Sequence, residues 1–322
     1  MNPGLLLLHP VTRFFAQEVL HVLDPHELYE LADDLPALDE PVLVQALTGF
    51  VDAGSAIQLF RENLLDSLET RVVATFDLDQ LLDYRSRRPP MIFMEDHWES
   101  YEPPSLALHL VRDQLGTEFL MLAGPEPDLQ WERFIAAVTG LIDRFGVKLT
   151  IGLNAIPMAV PHTRPVSVTA HATDKSLLGE HESWLQRVQV PASVGNLLEF
   201  RLGRSGHDAM GYAAHVPHYL SQTTYPAATE LLIDSVSSTT GLALPTGELR
   251  QAARLVRDDI DKQIAEDEQA GRLVASLEAQ YDAFLRGRQN NLLVDSDTQL
   301  PTAEELGAEL ERFLAEQSRD DG

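Results

Sequence analysis

Residues 119–153, FLMLAGPEPDLQWERFIAAVTGLIDRFGVKLTIGL, contain two short apolar runs, 119–122 and 149–153, on either side of a helical pattern. Seven apolar side chains between the runs recur at intervals that place them on one helix face: Trp131, Phe134, Ile135, Val138, Leu141, Ile142 and Phe145. We expect Asp128 to cap the start of this helix and Gly146 to end it. A strand, a helix and a second strand in this order are typical of a βαβ unit.

The same alternation of strand and helix patterns extends over most of the chain. Residues 41–47 are apolar and precede helical spacing within residues 52–68. Other runs of strand length are at 72–76, 91–94, 106–111 and 166–170. Because many of these runs are apolar throughout, they indicate a sheet that is covered on both faces. We therefore expect an α/β fold, a three-layer α/β/α sandwich with a mostly parallel or mixed sheet. Residues 106–122, joined across Gly116, suggest an antiparallel hairpin within that sheet.

The composition divides the chain into three parts. Residues 1–40 are expected to form an N-terminal surface segment with one or two short helices, and residues 41–245 the α/β/α core domain. Residues 246–322 are expected to form a helical appendage, with a break near Gly271 and a last helix that begins at the capping box of residues 302–305.

The helical appendage carries a narrow apolar seam. Its members are Leu249, Ala252, Ala253, Val256, Ile260, Leu273, Leu277, Tyr281 and Phe284. Such a seam packs either within one chain or against a second copy, so a homo-oligomer is one expectation.

Charge and cysteine content exclude several classes of function. The chain has 50 acidic and 24 basic residues, a formal net charge of −26, which would repel a nucleic acid backbone. The acidic cluster within residues 258–268 is interpreted as a solvated helix face. No cysteine is present, so disulfides and thiolate chemistry are excluded. The apolar run at residues 5–8 is too short for a signal segment or a membrane span, and a cytoplasmic location is expected.

The first candidate site is the strand-to-helix turn at residues 47–55, which contains Gly49, Asp52, Gly54 and Ser55. Turns of this kind often bind anions at the unpaired amides of the helix. Asp52 favours the alternative, because its carboxylate would cap the helix and repel a phosphate. The turn is therefore either a helix cap or a ligand contact.

The second candidate site is the proline-rich loop within residues 152–165. Asn154, His162, Thr163 and Arg164 supply hydrogen-bond donors and one cation at the carboxyl end of a strand, where α/β folds commonly bind ligands. A rigid structural loop is the alternative.

No complete catalytic motif is found, so no catalytic residue, metal ligand or cofactor is assigned. Ser55 and Ser193 are not in the nucleophile-elbow motif G-x-S-x-G. The histidines His215 and His218 are separated by Pro217, which breaks the helix that would align them on a metal.

Several motifs together resemble a known family. TGFVDAG at 48–54, NAIP at 154–157, PHTRP at 161–165 and GYAAHVPHY at 211–219 are similar to actinobacterial members of the proteasome assembly chaperone family, second-subunit type. The resemblance implies an α/β/α fold similar to that of nucleoside phosphorylases and peptidyl hydrolases. Eukaryotic and archaeal relatives use this fold to bind proteasome subunits.

The function that the resemblance implies is a non-enzymatic protein-binding or assembly factor, with proteasome subunits as candidate partners. Relatives that dock on the proteasome α-ring carry a C-terminal hydrophobic-Tyr-X tail, whereas residues 319–322 here are RDDG, so tail insertion is not expected. The alternative is a small-molecule enzyme with a phosphorylase- or hydrolase-like fold, acting in a crevice near Asp52, Asn154, His162 and Arg164.

Overall fold

The computed structural model describes residues 23–179 and 188–293. Its strands are β1 (Tyr29–Leu31), β2 (Val42–Thr48), β3 (Glu69–Phe76), β4 (Met91–Met94), β5 (His97–Tyr101), β6 (Ala107–Arg112), β7 (Glu118–Pro125), β8 (Leu149–Met158), β9 (Val168–Ala172) and β10 (Ala209–Pro217). Its α-helices are α1 (Ala56–Ser67), α2 (Trp131–Phe145), α3 (Val194–Ser205), α4 (Pro226–Thr240), α5 (Gly247–Glu266) and α6 (Glu268–Leu293).

Eight strands form one mixed sheet in the order β1-β3-β6-β7-β2-β8-β10-β9. The central strands β7, β2, β8 and β10 are parallel to their neighbours in this group. The flanking pairs are antiparallel, and the predicted hairpin across Gly116 is the β6–β7 pair. The four parallel strands therefore end at the same edge of the sheet, the edge where α/β folds place their ligand sites.

Helices cover both faces of this sheet, as the apolar strands predict. Helices α2 and α3 contact each other, and their buried side chains share a core with Leu43 of β2 and Leu120 and Leu122 of β7. Helices α1 and α4 contact each other and pack on β2, β8 and β10. Strands β2 and β7 are buried on both faces over most of their length, which explains why these predicted strands lack an alternating pattern. Strand β10 is buried along its whole length, and the sequence did not predict it as a strand. The expected α/β/α architecture is confirmed.

The start of the described chain joins the main sheet. A short 3₁₀ helix, Pro25–Leu28, leads into β1, which pairs antiparallel with β3 at the sheet edge. The buried guanidinium of Arg133 donates hydrogen bonds to the carbonyl oxygen of Asp24 at 2.9 and 2.7 Å. Residues 24–31 are therefore attached to the main sheet, and Leu28 is buried in its core. One short helix is found here, and the description of residues 1–40 as a surface segment stays a prediction.

Two predicted helix boundaries differ from those observed. The first residue of α2 is Trp131 and its N-terminal cap is Gln130, because the carboxylate of Asp128 instead pairs with Arg87 at 2.8 Å. Gly146 ends α2 in the left-handed conformation, as predicted. The break in the appendage lies between α5 and α6 at Asp267 instead of Gly271. The capping box and last helix predicted after residue 300 lie outside the described residues.

The chain divides into two compact units, one ending at Lys262 and one beginning at Gln263. The first contains the sheet, α1 to α4 and most of α5. The second contains α6. The division into 1–40, 41–245 and 246–322 stays a prediction. Within the described residues, no helix is long and apolar enough to cross a membrane.

Strands β4 and β5 form a separate two-stranded hairpin outside the main sheet. The sequence predicted 91–94 as one of the core strands, but every residue of both strands is exposed. An apolar run in the sequence looks the same whether or not other elements cover it. The exposed hairpin therefore could not be told from a buried strand by its hydrophobic residues alone.

Candidate functional site

The carboxylate of Asp52 caps helix α1. It accepts hydrogen bonds from the backbone N–H groups of Ile57 at 2.7 Å and Gln58 at 3.0 Å. Burial raises the pKa of Asp52, and these hydrogen bonds oppose the rise. The first amides of α1 are thus occupied by a carboxylate of the chain itself, in agreement with the capping interpretation. Contact between Asp52 and a ligand stays a prediction.

The other residues of this turn have tightly restricted backbones. Gly49 has φ +131°, and a Cβ there would lie 2.6 Å from the guanidinium of Arg87. Gly54 has φ +70°, and a Cβ there would lie 2.8 Å from Cβ of Tyr225. The backbone of Ser55 is in the left-handed helical region, with φ 52°, and its side chain makes no capping hydrogen bond. Steric restriction therefore accounts for both glycines without a ligand.

Asn154 lies on β8 and faces the start of α3. Its Nδ2 donates to Oδ1 of Asn196 at 3.4 Å. The α3 amides already have acceptors, because Ser193 Oγ accepts from the Asn196 N–H and the carboxylate of Glu126 accepts from the Val194 N–H. Burial raises the pKa of Glu126. The N-terminus of α3 is thus occupied by the chain's own side chains.

His162 is almost fully buried, at 3% exposure, in the loop between β8 and β9. Its backbone N–H donates to the hydroxyl of Tyr219 at 2.9 Å, and the same hydroxyl lies 2.6 Å from His162 Nδ1. The Nε2 atom lies 3.0 Å from Oδ1 of Asp261 on α5. In the neutral tautomer that satisfies all three contacts, the hydroxyl donates to Nδ1 and Nε2–H donates to the carboxylate.

Thr163 and Arg164 follow in the same loop and are partly buried. Arg164 and His162 line a cavity of about 260 Å³ between this loop, α4 and α5. Its other walls are Pro165, Val166, Tyr225, Ala227, Glu230, Arg250, Ala253, Arg254, Arg257 and Ile260. Four arginines thus line one cavity: Arg164, Arg250, Arg254 and Arg257.

The structure distributes the eight predicted residues over more than one location. Asp52 forms an isolated bridge with Ala155, so the glycine–aspartate turn and Asn154 are neighbours. Asp52 lines a second groove with Pro157 and Ser221, whereas His162 and Arg164 line the cavity beside α5. The residues that were expected around one crevice therefore do not line the same cavity.

Sequence reasoning missed the residues that α5 contributes. Arg250, Arg254 and Arg257 are spaced i, i+4 and i+7, which is a signal for one helix face. Asp261 was included in an acidic cluster interpreted as solvated, yet it contacts the buried ring of His162. Only the packing of α5 brings these residues to the loop after β8.

The histidines considered for metal binding have other contacts. His215 is buried, with Ser167 Oγ 3.1 Å from Nδ1 and Thr169 Oγ1 2.8 Å from Nε2. His218 is exposed and packs edge-on against the ring of Tyr219. Among the residues that the structure describes, no group of three or more His, Asp or Glu side chains is arranged to hold a metal ion.

The exposed hairpin of β4 and β5 is the second feature that points to function. Six large apolar side chains on it are between 44% and 64% exposed: Met91, Ile92, Phe93, Met94, Trp98 and Tyr101. The rings of Phe93 and Trp98 pack edge to face with their centroids 5.2 Å apart. A contiguous apolar patch of this kind usually marks a protein-binding surface.

Comparison with known families identifies the chain. The model of the PAC2 family matches residues 46–264, a range that contains the glycine–aspartate turn, the His162 loop and most of α5. The chain belongs to the PAC2 family. Membership confirms the resemblance found in the sequence motifs. Curated proteins give no match to this PAC2 chain.

Several solved structures are similar to this chain along most of their length. A Mycobacterium tuberculosis protein of unknown function is 48% identical, with 83% of this chain and 92% of that chain covered and a TM-score of 0.80. A Corynebacterium glutamicum protein of unknown function is 42% identical, with coverage of 80% and 98% and a TM-score of 0.77. A Mycobacterium tuberculosis proteasome-assembly chaperone homologue is 25% identical, with coverage of 72% and 99% and a TM-score of 0.67.

Proposed function

We propose that this PAC2 protein is a non-enzymatic protein-binding or assembly factor that acts in the cytoplasm as a homo-oligomer. The observation that carries the proposal is the exposed apolar hairpin of β4 and β5. The similarity to a proteasome-assembly chaperone homologue supports proteasome subunits as the proteins it assembles. The net charge of −26 argues against nucleic acid as a partner.

A second copy of the chain is the partner that best fits the hairpin. An isolated two-stranded hairpin is marginally stable in water, and both faces of this one carry apolar side chains. A transient partner would leave those side chains in water for most of the protein's lifetime, whereas a permanent copy covers them throughout. Because each copy carries a charge of −26, apolar burial has to overcome charge repulsion between the copies.

The double variant Phe93→Ser/Trp98→Ser tests self-association. Light scattering at several protein concentrations is expected to give an oligomer for the wild type and monomer for the variant. Leu115→Ser is the matched control, because Leu115 is an equally apolar side chain, 82% exposed, in the β6–β7 turn. A wild type that is monomeric at every concentration, or a variant that keeps the oligomer, contradicts the role of the hairpin.

A pull-down against assembling 20S proteasome subunits tests the assembly role separately. Enrichment of α-subunits with the wild-type protein is expected. No enrichment would contradict the chaperone form of the proposal even if the oligomer forms. Capture that survives in the hairpin double variant would assign subunit binding to a different surface from self-association.

The alternative function, a small-molecule enzyme, needs Asp52, Asn154, His162 and Arg164 around one crevice. Asp52 is hydrogen bonded to the first amides of α1 and lines a different groove from His162. Asn154 is hydrogen bonded to Asn196. These contacts favour the binding proposal over the enzyme.

A further inference from the structure

The cavity beside α5 is lined by more basic than acidic side chains, although the whole protein is acidic. Four of the 24 basic residues of the chain line it, namely Arg164, Arg250, Arg254 and Arg257. Glu230 is the one carboxylate among its lining residues. In a chain of net charge −26, a concave surface lined by four arginines and one carboxylate is locally rich in basic side chains.

Arg250 is neutralised within the chain. Arg250 Nε donates to Glu230 Oε1 at 2.8 Å, and its Nη2 lies 3.7 Å from Asp234. Arg254 and Arg257 are exposed, and neither forms an ion pair with another described residue. Two guanidinium groups at the cavity therefore keep their hydrogen-bonding capacity for a ligand.

The three arginines of α5 lie on one helix face, because their spacing is i, i+4 and i+7. Like charges at such positions repel each other and destabilise a helix. The hydrogen bond from His162 to Asp261 ties the same helix to the loop that carries Arg164, so the arginines face a fixed opposite wall. An anion between the walls would offset this repulsion.

The remaining walls define the size and character of a ligand. Tyr225, Ala253 and Ile260 give an apolar side, and burial raises the pKa of Tyr225 to about 12, so its phenol stays neutral. The volume of about 260 Å³ is below the range of pockets that hold drug-sized molecules. The site therefore suits a small molecule with a short apolar body and at least two anionic oxygens.

The geometry points to a binding site for a small multivalent oxyanion, a phosphate ester or a polycarboxylate, between Arg164 and the Arg254–Arg257 face of α5. Guanidinium groups bind both kinds of oxyanion through paired N–H donors, which is the chemistry the two ligand classes share. The site is separate from the hairpin, and its occupancy does not depend on the proposed assembly role.

Isothermal titration calorimetry at low ionic strength tests the site with two probes, pyrophosphate for the phosphate class and citrate for the carboxylate class. At least one probe is expected to bind with a stoichiometry of one per chain. Arg254→Gln is expected to weaken it about tenfold, the loss of one charge-assisted hydrogen bond, and Arg254→Gln/Arg257→Gln to weaken it further. The probe that binds more tightly identifies the ligand class.

Lys262→Gln is the matched control, because it removes one exposed positive charge from the same helix without touching the cavity. Circular dichroism checks that each variant is folded. Two results would overturn the inference: no binding of either probe to the wild type, or equal binding to the double variant and to Lys262→Gln. If the equal binding in the second result is weaker than in the wild type, it reports a general charge effect instead of a site.

Discussion

The buried imidazole of His162 and the half-exposed carboxylate of Asp261 form a hydrogen bond of 3.0 Å across 99 residues of sequence. The other ring nitrogen is satisfied by Tyr219, whose hydroxyl also accepts the backbone N–H of His162. The ring therefore connects the loop after β8, the end of β10 and helix α5. Through this contact α5 becomes part of the wall of the arginine-lined cavity.

Replacing Asp261 by Ala is expected to loosen α5. The variant leaves the buried Nε2–H of His162 without its acceptor, which should lower the free energy of unfolding by about 1 kcal/mol. Hydrogen exchange of the α5 amides should become faster. Asp258→Ala removes a neighbouring exposed carboxylate from the same helix and should leave exchange unchanged. Identical exchange in the two variants would contradict the role of the His162–Asp261 contact.

Removing the carboxylate of Asp52 should destabilise α1. Asp52→Ala is expected to lower the free energy of unfolding by about 1 kcal/mol, because two first-turn amides lose their acceptor. Asp52→Asn should lose less, since its amide oxygen can still accept one of these bonds. Chemical denaturation measures both changes. Asp66→Ala, at the exposed end of the same helix, is the control, and an equal loss there would contradict specific capping.

Stability is expected to fall in acid because of His215. Burial lowers its pKa from 6.5 to about 4. Between these values the unfolded imidazole is protonated and the folded one is neutral, so the unfolded state binds more protons and the free energy of unfolding decreases as the pH drops. The pKa shift from 6.5 to about 4 corresponds to a total loss of about 3 kcal/mol in the free energy of unfolding once the pH is below both values.

The measurement is the slope of unfolding free energy against pH between 6.5 and 4. His215→Gln is expected to flatten this slope, whatever its effect on stability at neutral pH. His218→Gln, at an exposed histidine three residues away, should keep the wild-type slope. A slope that is unchanged in His215→Gln would show that other groups cause the acid sensitivity.

Two glycine-to-alanine substitutions should act in opposite directions. Gly54→Ala is expected to lower stability by about 1–3 kcal/mol, because its φ is +70° and the new Cβ would meet Tyr225 at 2.8 Å. Gly140→Ala, in the middle of α2 with open space around it, should raise stability by about 0.5–1 kcal/mol. Thermal unfolding compares them, and a Gly54→Ala variant as stable as the wild type would contradict the steric explanation.

Local patterns predicted much of the fold. The apolar stripe of α2 and its Gly146 stop were sufficient because helix formation depends on neighbours three and four residues apart. Continuous apolar strands such as residues 41–47 and 119–122 predicted a sheet covered on both faces, because a strand that is buried on both faces has no polar alternation. The strand 91–94 was misassigned to the core, since an apolar run carries no information about what covers it.

The sequence by itself determined the α/β class, the family motifs and the absence of cysteine chemistry, and it left the Asp52 turn as either a helix cap or a ligand contact. The structure shows the cap. Only the tertiary structure decided that Asn154 faces α3, that His162 contacts Asp261, and that three arginines of α5 face Arg164. The physical reason is the separation along the sequence over which each kind of interaction acts. Helix periodicity and capping act within about four residues, whereas these contacts depend on how separate elements pack across the sheet.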